Sequence, residues 1–299
     1  MWIFSDLFSI NAELGHKKYF IPVVMFVLFI TAYFVISGIR QKENPQDKIA
    51  PTFSTMVEAT RIVLFEPDRN GEYFLELNTK EIELPWNLQN YVLEYNIHFG
   101  GILFTDTLAS GRRFIISLIV ISFGILFGLH VGLLPYFEAI FYQFTVFFNK
   151  IPALVLLPII FILFGLDELS KIALIVIGVL PAIVLDTYLR AKEIPREQIV
   201  KGFTIGATDF EIVYRIVLPQ IFPKVLNTIR LNFLPMALLL IAGESLAASE
   251  GLGYRIFVLR RYIAMETIIP YAIWISILLF LADRFVTMII RKSIWLDKE

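Results

Sequence analysis

Long apolar runs separated by short charged stretches organise this chain. Tyr19–Ile39 is the first, followed by Phe114–Leu134, Phe137–Leu163, Ile172–Leu189, Leu231–Ala248 and Ile268–Ile290. Most approach or exceed the roughly 20 residues that a helix needs to cross a hydrocarbon layer about 30 Å thick. Asn149, Lys150 and Pro152 interrupt the third run. Counted once, that run gives six spans; counted as two crossings, seven. The pattern predicts an all-α integral membrane protein.

Composition agrees. Of 299 residues, 57% are hydrophobic and 18% charged, against about 25% charged in soluble domains. A net charge of -1 argues against nucleic acid, which needs a basic surface. No cysteine is present, so disulfide and thiolate chemistry are excluded. Met1–Lys18 carries acids and lacks a short apolar core ending in a cleavage site, so Tyr19–Ile39 reads as a permanent anchor.

Lys and Arg set the expected orientation. Arg190, Lys192, Arg196, Lys201, Arg215, Lys224 and Arg230 lie between the fourth and fifth spans, Arg291, Lys292 and Lys298 in the tail, and Lys17 and Lys18 before the first span. Six spans put all three groups in the cytoplasm, with both termini, in an inner membrane. Arg112, Arg113, Arg255, Arg260 and Arg261 then fall outside, against the rule.

Three regions follow: 1–39, a tail and first span; 40–112, an acidic external loop; and 113–299, the core spans. From Arg40 to Arg112 there are seven Lys/Arg and eleven Asp/Glu. Within the loop, Glu72–Leu77 and Glu81–Leu84 roughly alternate, with Asn78-Thr79-Lys80 between them and the turn cluster Pro67–Gly71 before them. This predicts a short hairpin.

Residues 195–219 predict two short helices on the cytoplasmic face, joined at Gly206. Phe210, Val213, Tyr214 and Val217 share one face of the second, Thr208 or Asp209 can cap it, and Leu218-Pro219 is expected to end it. From the pattern alone, an amphipathic pair resting on lipid headgroups fits equally well.

Here the residues resemble a known family. Gly206, nine residues, Ile216, one residue, then Leu218-Pro219 match the motif core shared by permeases of binding-protein-dependent ABC importers. Where that family usually has Glu-Ala-Ala, this chain has Val200-Lys201-Gly202. Ile151–Pro158, Phe164-Gly165-Leu166, Glu168–Lys171, Gly243–Ser249, Gly251–Tyr254 and Trp295 resemble the nitrate/sulfonate/taurine branch, over roughly residues 100–296.

The resemblance implies a type I importer permease fold and a coupling segment (Gly206, Ala207, Phe210, Val213, Tyr214, Ile216, Leu218, Pro219) that docks on a separate ATPase subunit. That subunit would bind ATP and magnesium, leaving this chain without catalysis or cofactor. It implies a second permease copy, a periplasmic or lipid-anchored solute-binding protein, and a substrate among nitrate, sulfonates, taurine, bicarbonate and pyrimidine precursors. A secondary transporter or channel is the alternative; it would want inverted repeats and intramembrane charge pairs.

Polar groups inside spans are costly and mark function or pairing. Glu244 and Ser245 are candidates for the translocation path, or Glu244 pairs with a basic residue elsewhere in the bundle. Asn149 and Lys150, at the break in the third run, are further path candidates, or Lys150 reaches an interface. Asp186 is expected to be solvated, and Asp283 and Arg284 to pair within the bundle. His16, His98 and His130 show no metal-ligand spacing. Gly124, Gly128 and Gly132 recur every four residues, a spacing that favours close helix packing in the bundle or a dimer.

Overall fold

The computed structural model describes residues 17–44, 49–65, 75–83, 89–97 and 101–294. The chain runs through helices α1 (Lys17–Glu43) and α2 (Phe53–Phe65), strands β1 (Leu75–Glu83) and β2 (Gln89–Ile97), then α3 (Ile102–Leu133), α4 (Pro135–Phe148), α5 (Ala153–Phe164), α6 (Glu168–Lys192) and α7 (Arg196–Thr204). After a turn and a π-helical segment come α8 (Leu218–Leu231), α9 (Phe233–Ala247), α10 (Leu252–Arg261) and α11 (Met265–Ile294).

Among the described residues, α3, α6, the continuous stretch Asp209–Ala247 and Met265–Lys292 are long and apolar enough to cross a membrane. The pair α4–α5, bent by 100°, makes a fifth if taken as one span. The interruption read at Asn149–Pro152 is this bend. Pro152 donates no backbone hydrogen bond, and α5 restarts immediately after it. The remaining expected span, Tyr19–Ile39, lies within α1, part of whose side chains fall outside the described residues.

Three boundaries differ from those expected. Helix α3 begins at Ile102, inside the stretch read as loop. Arg112 and Arg113 lie inside the helix, which tolerates Arg113 in its buried face because that charge is paired. Helix α2 also falls within the stretch, and Ser37 of α1 donates to the Pro51 carbonyl beside it at 2.9 Å. The hairpin is present, with different strands. Asn78, Thr79 and Lys80 do not turn; they pair with Glu94, Leu93 and Val92 in an antiparallel ladder from Leu75↔Ile97 to Glu83↔Gln89. The connection between the strands, 84–88, lies outside the described residues, as do Pro67–Gly71, Glu72, Trp295, His16 and His98.

The core is built on α3, α6 and α8. Ile121, Ile125 and Leu129 meet Leu174, Ile175, Val179 and Ile183, with Val217, Ile221, Val225 and Ile229 against them, each set recurring every four residues apart from the adjacent pair Leu174-Ile175. Helices α3 and α6 run parallel. Along them Arg113 meets Glu168, Gly124 meets Leu180, Gly128 meets Val184 and Thr187, and Gly132 meets Ala191. The glycine ridge works inside this chain. A methyl on Gly128 would lie 2.5 Å from the Val184 carbonyl oxygen, so the helix backbones touch where no side chain intervenes.

Candidate functional site

The parallel pair α3–α6 has functional candidates at both ends. At its C-terminal end lies the segment 195–219. Pro195 precedes α7 in extended conformation, and α7 ends at a turn where Gly206 has φ 88°. Only glycine adopts that region without strain. The Ala207 N–H donates to the Gly202 carbonyl at 3.0 Å and closes the turn. The next helix opens with a capping box: the Glu211 N–H donates to Thr208 Oγ1 at 3.3 Å, and the Thr208 N–H to Glu211 Oε2 at 3.1 Å.

The expected stop at Leu218-Pro219 does not occur. Ile212–Val217 forms a π-helical turn, and α8 starts directly on it with Pro219 in its first turn. Proline removes one N–H from the continuous ladder there, and the π-helical turn lies immediately before it. The segment is thus joined rigidly to the stretch that continues to Ala247.

The coupling candidates divide by direction. Ile205 and Phe210 are 87% and 67% exposed, and Val200 and Phe203 are exposed beside them. Gly206 has no neighbouring atom within 4 Å of where a Cβ would stand. Val213 is 7% exposed and belongs to the core, with Ala207, Tyr214, Ile216 and Leu218 packed against that core. The Tyr214 ring stacks on Phe210 with centroids 4.5 Å apart. Its hydroxyl lies 3.3 Å from His130 Nε2 near the end of α3, while His130 Nδ1 lies 2.6 Å from the Leu126 carbonyl. At the α6–α7 corner, Glu193 accepts from Lys224 at 3.0 Å and Arg190 at 2.9 Å. The Lys224 bond, outweighing desolvation and aided by Arg190, holds the Glu193 carboxyl below the ordinary range.

At the opposite end is a buried charge cluster. Glu244 of α9 has no exposed surface. It accepts from Arg113 Nη1 at 2.6 Å, Ser110 Oγ at 2.8 Å and the Gly253 N–H at 2.8 Å. Arg113 also grips Glu168 through two nitrogens, at 2.6 and 2.7 Å, and donates to the Glu250 carbonyl at 2.9 Å. Lys171 closes on Glu168 at 2.7 Å. Beside them buried Asp106 accepts from the Gly251 N–H at 2.9 Å and from Arg255 at 2.7 Å. Glu244 is thus ion-paired inside the bundle.

The other candidates stay apart. Ser245 donates within its own helix, to the Ala242 carbonyl. Asn149 caps α4, and Lys150 is exposed at the bend. Asp186 accepts from Thr228 at 2.7 Å instead of standing free in solvent. Asp283 lies 3.3 Å from Arg230, and Arg284 lies over the Phe280 ring. Among the described residues, no group of three or more His, Asp or Glu could hold a metal ion. Sequence reasoning missed Asp106, Ser110 and Glu168 as partners. The available signal was two opposite charges, Arg113 at the edge of one apolar run and Glu244 inside another.

Several known proteins are similar to this chain. A family model described as "Binding-protein-dependent transport system inner membrane component" matches residues 114–294. The Escherichia coli K12 taurine transport system permease protein TauC is 27% identical over 176 residues, 58% of this chain and 64% of that protein. A probable ABC transporter permease protein of Brucella melitensis is 27% identical over 215 residues, 72% of this chain and 87% of its own length. The Halalkalibacterium halodurans formylaminopyrimidine transport permease protein ThiX is 33% identical, over 46% of this chain and 58% of ThiX. A solved structure of the inward-facing MetNI methionine ABC transporter superposes with TM-score 0.54 at 20% identity, covering 64% of this chain and 97% of that one. That likeness concerns the fold.

Proposed function

The chain belongs to the family of binding-protein-dependent transport system inner membrane components, and from that membership we propose how it works. It is the inner-membrane permease of an ABC importer. It pairs with a second permease copy, receives solute from an external binding protein, and docks on a cytoplasmic ATPase through residues 200–210. ATP and magnesium are held by that ATPase. Both termini and the 195–219 segment face the cytoplasm, and the loop with the hairpin faces outside.

The observation that carries this reading is the exposed apolar tip Ile205–Phe210 on a segment whose other face is locked into the core. A helix pair resting on headgroups needs apolar contact with lipid and no rigid backing. Here the backing is extensive: Val213 sits in the core, Tyr214 on α3, and the backbone runs on through the π turn. A projecting aromatic on a stiff mount suits insertion into a protein cleft. Force on Phe210 would pass through Tyr214 to α3, and through the continuous helix to α9.

The permease's substrate is a small solute of the kind carried by its relatives. A sulfonate such as taurine is the first choice, and a pyrimidine precursor the second. The chain supplies no conspicuous binding chemistry for an anion among its described residues: the exposed Lys150 stands at the bend, and buried Glu244 is neutralised by Arg113. Selection therefore falls to the binding protein.

The test is co-purification of the ATPase in mild detergent with wild type and with Phe210→Asp. Wild type retains the ATPase; the variant loses it at unchanged thermal stability, because the replaced ring is largely outside the permease core. Retention of the ATPase by the variant would refute docking at this tip.

A further inference from the structure

The charge cluster at the far end encloses a piece of chain. Three carboxylates (Asp106, Glu168, Glu244) meet three cations (Arg113, Lys171, Arg255), so the cluster is electrically balanced. Its partners span α3, α6, α9 and α10. The connector 248–251 between α9 and α10, with the first residues of α10, is held almost entirely by this cluster. Asp106 takes the Gly251 N–H, Ser110 the Leu252 N–H at 2.8 Å, Glu244 the Gly253 N–H, and Arg113 the Glu250 carbonyl.

The fit leaves no slack. Gly251 has φ 132°, and a Cβ there would stand 2.7 Å from the Glu244 carboxylate. The Gly251, Leu252 and Gly253 N–H groups are the opening donors of α10, which have no partner within their own helix, and here buried side chains of α3 and α9 take all three. A buried ion-pair cluster is not an efficient way to stabilise a bundle, since desolvation offsets most of its attraction. Such a cluster is instead well suited to hold one arrangement firmly and release it when its members separate together.

We propose that this cluster is a latch that holds connector 248–251 and the start of α10 shut over the outer ends of α3, α6 and α9, and that the latch opens during the transport cycle. Arg113 is its positioning residue, since among the described residues it alone touches α6, α9 and the connector. Helix α3 carries Arg113 about three turns from its start and His130, against Tyr214 of the coupling segment, near its other end. These are 17 positions apart, or about 25 Å along the helix. One rigid rod therefore connects the ATPase-facing tip to the latch. The latch itself rests on the cluster's geometry; only its trigger rests on the importer reading.

The absence of cysteine makes the test direct. Two buried reporters are placed separately in the full chain in nanodiscs. Ser117→Cys lies one turn below Arg113, whose carbonyl Ser117 bonds at 2.8 Å; Thr187→Cys lies near the coupling end. Each is treated with a charged, water-soluble methanethiosulfonate, with and without Glu244→Gln. We expect labelling at position 117 to rise at least roughly tenfold when the charge is removed, the shift expected from losing one hydrogen bond to a charged group, while position 187 stays protected.

Adding the ATPase and ATP to the chain with an intact cluster should also expose the thiol at position 117. Its continued protection in Glu244→Gln, or equal exposure of both reporters, would overturn the latch. So would protection at position 117 while ATP is bound to an attached ATPase. If the ATPase fails to attach, as read by co-sedimentation, the importer reading fails, and the first comparison still decides the latch.

Discussion

Arg113 of α3 and Glu244 of α9 face each other at 2.6 Å, 131 positions apart in sequence and both buried. Neither charge has water to fall back on, so each depends on the other. Replacing Glu244 with Ala would strip Arg113 Nη1 of its carboxylate partner and leave it only the Glu250 carbonyl. We expect a loss of about 3–5 kcal/mol, the usual result of breaking a buried pair from one side, measured by chemical denaturation in detergent. Glu168→Gln should cost much less, because Glu168 is 43% exposed and water can replace part of what is lost.

The glycines of α3 give an internal contrast. Gly128→Ala puts a methyl 2.5 Å from a backbone oxygen and 2.9 Å from Thr187 Cβ, and neither can move without separating α3 from α6. A cost of about 1–3 kcal/mol is expected from overpacking. Gly111→Ala, on the same helix, meets nothing within 4 Å and should be neutral or stabilising by up to about 1 kcal/mol through helix propensity. Thermal melts of the two variants side by side decide the point.

At the coupling turn the constraint is conformational. Gly206→Ala has ample room, yet φ 88° should cost about 1–2 kcal/mol for a residue with a Cβ. Thr208→Ala removes one arm of the capping box, worth about 1 kcal/mol. Both losses should appear as faster amide exchange confined to residues near 200–212, while the α3–α6 core remains protected. Uniform deprotection across the bundle would show that the segment is not an independent local unit.

Much of this architecture is readable from the chain. The apolar runs mark α3, the bent pair, α6, α9 and α11 because a membrane imposes a minimum length on each. Gly206 and the capping residues mark the coupling turn because their backbone demands are local. What the pattern hides depends on distant partners. Pro219 looks like a stop until the π turn before it is seen. Arg112-Arg113 looks like a loop until Glu244 and Glu168 are found beside Arg113. Of the five basic residues that run against the orientation rule, Arg113 is ion-paired with Glu168 and Glu244, and Arg255 with Asp106. Asn78-Thr79-Lys80 looks like a turn because its composition suits one, but pairing with residues 92–94 keeps it extended.

Whether the tip at Phe210 meets an ATPase or lipid is the question on which the coupling mechanism turns. Phe210→Cys in the otherwise cysteine-free chain, treated in native membranes with a short bifunctional cross-linker, answers it directly. Docking predicts one adduct whose partner, identified by mass spectrometry, carries the phosphate-binding GxxxxGK[ST] loop of an ATPase. Docking also predicts that the thiol at position 210 resists a membrane-confined reagent that readily labels Phe147→Cys on the exposed apolar face of α4. No such adduct, with labelling at position 210 as fast as at position 147, would place the segment on the lipid surface and contradict docking.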